Sequence, residues 1–149
     1  MQSTFNPSDN HQLIERVNQL TPSSQPLWGK LNVVQMLAHL QKPIEVATGQ
    51  LTLRHTIIGK LFGKMAKKKL MKEGNFSRNL PTAPEFLIAD PESFENEKNK
   101  VIRLVKKLEE QGASGITKDA HPFFGKMTTE EWDLLQWKHL DHHLRQFGV

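Results

Sequence analysis

Thr128-Thr129-Glu130-Glu131-Trp132-Asp133-Leu134-Leu135-Gln136-Trp137-Lys138-His139-Leu140-Asp141-His142-His143-Leu144-Arg145-Gln146-Phe147 is the stretch that decides how this 149-residue chain folds. Thr128 and Glu131 stand at capping-box spacing, so a helix should start here. Leu134, Trp137, Leu140, Leu144 and Phe147 recur at helical intervals and form an apolar stripe. Trp132, Leu135, His139, His143 and Gln146 form an adjacent stripe, which places His139 and His143 at the border of a core. Asp141 and His142 point more outward. Two imidazoles at i and i+4 stack on one helix face. That is how a single helix offers two nitrogens to a transition metal. Spacing alone leaves the plainer reading open, a pair of histidines satisfied at the edge of a core.

Working outward, helix signals dominate. Pro7-Ser8-Asp9 supplies cap residues for a first helix carrying Leu13, Ile14, Val17 and Leu20. Asn32 is the expected N-cap of a second, spanning about residues 32–48 with Val33, Met36, Leu37, Leu40, Ile44 and Ala47 on one side. Pro43 should kink or divide it, because proline lacks the N–H that a helix interior requires. Residues 57–72 read as a basic amphipathic helix with Ile57, Ile58, Leu61, Phe62 and Met65 packed inward and the lysines in water, although Gly59 and Gly63 weaken it. Residues 73–91, with Pro81, Pro84 and Pro91, read as a covering loop. Phe94, Val101, Ile102, Val105 and Leu108 mark a further helix ending near Gln111, followed by a second loop over 113–127. No strand is expected. The fold class is all-α: a four-helix bundle over residues 1–149 with one additional short basic helix and two long loops.

His39 lies in the second helix, within Val33-Val34-Gln35-Met36-Leu37-Ala38-His39-Leu40. If that helix faces the last one, His39, His139 and His143 can close a three-nitrogen site with an open coordination position. All-nitrogen ligation admits Zn, Ni, Fe, Mn or Co. Such a divalent metal could activate water, or hold a small thiol as its reactive thiolate. Trp28, Trp132 and Trp137 read as core. His142 reads as a solvent-facing or supporting group, His121 as a loop-packing residue, and Asp141 and Gln146 as candidates for orienting an imidazole.

Composition narrows the function classes. With no cysteine, disulfides, thiolate metal sites and a Cys nucleophile are excluded. The polar start, Met1-Gln2-Ser3-Thr4-Phe5-Asn6-Pro7, lacks a signal-peptide core, and a cytoplasmic protein is expected. The net charge of +4 is local. Arg54, Lys60, Lys64, Lys67, Lys68, Lys69 and Lys72 fall within residues 54–72, which hold no acid. The rest of the chain is net acidic, so a basic whole-domain surface for nucleic acid is not expected.

Three segments carry a resemblance. His139-Leu140-Asp141-His142-His143-Leu144-Arg145-Gln146 resembles the H-x-x-x-H-x-x-Q signature on the last helix of the DinB superfamily. Trp28-Gly29-Lys30-Leu31-Asn32 through His39-Leu40 is similar to its other signature, a Trp followed by a helix with one His. The run His121-Pro122-Phe123-Phe124-Gly125-Lys126-Met127-Thr128 and the closing Arg145-Gln146-Phe147-Gly148 resemble a branch of that superfamily known only as a domain of unknown function. The resemblance implies a metal-binding bundle with His39, His139 and His143 as ligands, and points to thiol transferases that use bacillithiol or mycothiol. The resulting expectation is a metal-dependent transferase or hydrolase. Its substrate would be a small molecule, a low-molecular-weight thiol among the options, and a homodimer is compatible with it. Nucleic acid and membrane are not the expected partners. The competing reading is a non-catalytic interaction protein that binds anionic membrane or nucleic acid through the basic helix 54–72. A further one is a dimer that keeps its histidines as a structural relic.

Overall fold

A computed structural model describes residues 2–72, 74–78, 86–88 and 90–149. The expected loop residues Pro81 and Pro84 lie outside the described residues. Among the described residues five α-helices follow in order: α1 Pro7–Gln19, α2 Val33–Ala47, α3 Ile57–Leu70, α4 Phe94–Gln111 and α5 Thr129–Gln146, with a 3-10 turn at Gly112–Gly115 between the last two. Among the described residues there is no strand, only an isolated bridge between His121 and Gly125.

Local chemistry explains where the helices begin. Asn6, rather than a residue of the Pro7-Ser8-Asp9 run, caps α1 by accepting from the Asp9 N–H, and Pro7 takes the first helical position. Asn32 and Gln35 form a reciprocal capping box at α2, as do Thr128 and Glu131 at α5. Pro43 does not divide α2, which runs unbroken from Val33 to Ala47. Its missing N–H leaves the His39 carbonyl without its usual partner one turn earlier.

Helices α1, α2, α4 and α5 share one core. α2 packs on α4 and α5, and α1 packs on the same two helices. Leu13, Val17, Met36, Leu37, Leu40, Ile44, Val101, Val105, Trp132, Leu140 and Leu144 are almost completely removed from water. Burying each large side chain is favourable by roughly 1.5–3 kcal/mol, which sets these faces inward. Two buried polar locks fix the register. Asn10 donates to the Val105 carbonyl at 2.8 Å, and Asp133 accepts from the Thr4 backbone N–H at 2.7 Å and from its hydroxyl at 2.6 Å.

The orientation of α3 is the reverse of the expected one. Ile57, Ile58, Leu61, Phe62 and Met65 are 52–76% exposed. The helix instead turns Gly59 and Gly63 inward, where a Cβ on either would collide with the backbone at Phe123. Only glycine permits so close an approach, so the two residues that weaken the helix by propensity are the ones that dock it. Lys67 reinforces the dock by donating to the Lys126 carbonyl at 2.8 Å and pairing with Glu131 at 3.0 Å. Lys138 donates to the Leu70 and Lys72 carbonyls at the C-terminal end.

Candidate metal centre

The packing of α2 against α5 brings His39, His139 and His143 together. His39 Nε2 lies 2.9 Å from His139 Nε2 and 3.1 Å from His143 Nε2. One ligand-type nitrogen from each ring lies within 4.8 Å of the others. His39 is buried, while His139 and His143 each keep part of their surface accessible.

Hydrogen bonds on the far side of the rings fix two tautomers. His39 Nδ1 lies 3.1 Å from the Phe86 carbonyl, which can only accept, so Nδ1 carries the proton. Gln146 Nε2 donates to the Trp28 carbonyl at 2.7 Å, which leaves Gln146 Oε1 to accept from His143 Nδ1 at 2.8 Å. Neutral His39 and His143 therefore both present a bare Nε2 lone pair to the same point. Two lone pairs 3.1 Å apart with no proton between them repel, and a cation placed between them removes that repulsion. Nitrogens about 2.0–2.1 Å from a tetrahedral zinc would stand about 3.3 Å from one another, close to the separation seen here. The donor set fits a divalent transition metal.

Electrostatics keep the rings neutral. Burial holds the pKa of His39 below its ordinary value and that of His139 well below, with the neighbouring His143 and His39 adding to the effect on His139. Burial, then the nearby His39, push His143 down to about 3. Neutral imidazole is the ligating form, so proton competition within the folded chain is displaced below the ordinary histidine range.

The neighbourhood sorts the remaining sequence-marked residues. Gln146 orients His143, and Trp28 serves through its carbonyl. Trp28 itself is half-buried rather than core, with the Arg78 guanidinium 4.3 Å from its ring centre, while Trp132 and Trp137 are buried as expected. Asp141 pairs with Arg16 at 2.8 Å and faces no imidazole nitrogen of the cluster. His142 stays out of the cluster and lies edge-on to Trp28. His121 does pack a loop: its Nδ1 accepts from the Phe123 and Phe124 N–H groups at 3.0 and 3.1 Å. That turn is the platform on which α3 rests.

Sequence reasoning passed over two residues. Gly29 has φ +82°, and a Cβ there would run into the Gln146 amide. Gln136 is fully buried on the α5 face that carries His139, and neither amide atom has a partner among the described residues. The same holds for His139 Nδ1 and Trp132 Nε1. A glutamine on a mostly apolar stripe gives no sequence signal, because its meaning depends on what faces it.

Gly29→Ala should cost roughly 1–2 kcal/mol in backbone strain and displace Gln146 from His143. We expect a lower urea midpoint together with weaker metal binding. A variant with unchanged metal affinity would separate the Trp28–Gln146 link from the site.

A family described as "Protein of unknown function (DUF1569)" matches residues 3–148. No curated protein and no solved structure matches the chain.

Proposed function

The chain belongs to the DUF1569 family, and on that premise we propose that it is a DinB-like four-helix bundle holding a catalytic divalent metal on His39, His139 and His143. The observation that carries this reading is the convergence of three Nε2 atoms, two of them with the lone pair aimed at the shared point by hydrogen bonds on the opposite ring nitrogen. Backbone and side chain share the orienting work, as metal-binding histidines require. Phe86 fixes His39 and Gln146 fixes His143.

Gln136, which makes no hydrogen bond to His139 in the structure, is our candidate acceptor for the third ring. It lies three residues before His139 on one helix face, and its buried amide and His139 Nδ1 both want a partner. An imidazole ligating through Nε2 carries its proton on Nδ1, and Gln136 Oε1 would accept it. The expected signature is a pair of opposite signs. Gln136→Met should stabilise the metal-free protein by about 1–3 kcal/mol, since it removes an unsatisfied buried amide. The same change should weaken metal binding roughly 10–100-fold. Gln136→Glu keeps an acceptor and should restore part of the affinity. Urea unfolding and metal titration of the three proteins check both halves.

A metal bound here would supply Lewis acidity able to activate water or a small thiol near neutral pH. The protein's own contribution is to hold three neutral donors in place, with some surface of His139 and His143 still accessible. No cysteine is present, so a thiol nucleophile would be the cosubstrate. A thiol transferase is the favoured class through the DinB resemblance, with hydrolysis next. The test is metal-loaded protein assayed with low-molecular-weight thiols and electrophiles, beside metal analysis of protein purified without a histidine tag. A preparation that binds no divalent transition metal sinks the proposal.

A further inference from the structure

We propose that α3 is a peripheral docking helix for an anionic lipid bilayer. Ile57, Ile58, Leu61, Phe62 and Met65 occupy one continuous arc of the helix and stand in water. Large side chains gathered this way on a folded surface mark an interaction site. Their outward direction is built in. Gly59 and Gly63 occupy the opposite arc and touch the Phe123 backbone, so the helix cannot roll over without losing its dock.

The charge pattern selects the partner. Lys60 and Lys64 are exposed beside the apolar arc, Lys68 and Lys69 are exposed on its line at the C-terminal end of the helix, and among the described residues none of the four is in an ion pair. No acid occurs in residues 54–72. A second copy packed on this face would bring lysines against lysines with no carboxylate from the helix between them. Nucleic acid would meet the lysines and leave the apolar arc in water. A bilayer with anionic headgroups satisfies both halves: the apolar side chains enter the boundary with the acyl chains while the lysine stems extend to the phosphates. From the sequence these apolar residues are expected to pack inward, and a membrane is not among the expected partners; their outward placement favours the competing reading. The helix would lie in the plane of the surface, and among the described residues no helix is long and apolar enough to cross a membrane.

The test is flotation of the full chain with vesicles of phosphatidylcholine mixed with phosphatidylglycerol, against phosphatidylcholine alone. We expect binding to the mixed vesicles, at least about tenfold weaker binding to the neutral ones, and weakening as salt rises. A Leu61→Ser, Phe62→Ser variant alters only exposed positions, so its circular dichroism should match the parent, and vesicle affinity should fall by at least about tenfold. Replacing Lys60, Lys64, Lys68 and Lys69 with Gln should cost about fivefold per lysine. Equal affinity for both vesicle types, or none for either, overturns the proposal. So does a dimer that Phe62→Ser dissociates without any vesicle binding, which assigns the face to a second copy. Nucleic-acid binding that survives the Leu61, Phe62 variant, again without vesicle binding, overturns it as well.

Discussion

His39→Ala, His139→Ala and His143→Ala are each expected to abolish both the metal-induced rise in melting temperature and any metal-dependent turnover. A ligand that binds only the folded chain stabilises it by about 4.1 kcal/mol at a thousandfold excess over Kd. In a chain of this size that corresponds to roughly 8–16 °C. Two remaining imidazoles cannot close the set, so a single loss should remove the shift. The ligands act as one unit, and the triple variant should be little worse than any single one. His142→Ala is the control, because its ring stays outside the cluster, and it should retain most of the shift. Melting curves with metal and with chelator decide the matter. An undiminished shift in the triple variant would place the metal elsewhere, and full turnover in that variant would remove the metal from the chemistry.

The second large effect is on acid stability. In metal-free protein, stability should fall steeply as pH drops below about 6.5, the unfolded histidine value. The sign follows from linkage. His39, His139, His143 and His121 all have depressed pKa values in the folded chain, His143 at about 3 and His121 at about 4. Between the unfolded and folded values the unfolded chain binds more protons, so stability is full above about 6.5 and is lost as pH falls toward the folded values. Each such group can contribute about 1.4 kcal/mol per pH unit within its window. His143 and His121 together lose about 4 kcal/mol by about pH 5, and His39 and His139 add to the loss in the same direction, a large part of a typical total. Urea midpoints across this range check it, and a flat profile would refute the neutral buried cluster. Metal affinity of the folded chain should change little over the same interval, because proton competition there begins only nearer the folded values. Affinity that collapses at about pH 6.5 would mean the rings are open to water.

Much of the fold could be read from the chain because its signals are local. Capping boxes at Asn32 and Thr128 depend on residues three apart, and the stripes through Leu37, Leu40, Leu140 and Leu144 repeat within a single helix. The i, i+4 spacing of His139 and His143 is local as well, so a shared face follows from helix geometry alone. His39 is one hundred residues from His139 in sequence. Its place in the cluster was a conditional reading of the sequence, resting on whether α2 faces α5.

What the sequence determined by itself is an all-helical chain with His139 and His143 side by side and a basic segment without acids. The tertiary structure decided three things the sequence could not. It set the third imidazole against the other two. It gave Gly29 and the Phe86 carbonyl their roles, since a carbonyl or a glycine acquires meaning only from the group brought to it across the fold. It also turned α3 outward, because periodicity states that a helix has two faces and cannot say which one meets the protein. At α3 the close backbone approach that Gly59 and Gly63 allow outweighs the pull of five apolar side chains, and only the position of the Phe123 backbone reveals it.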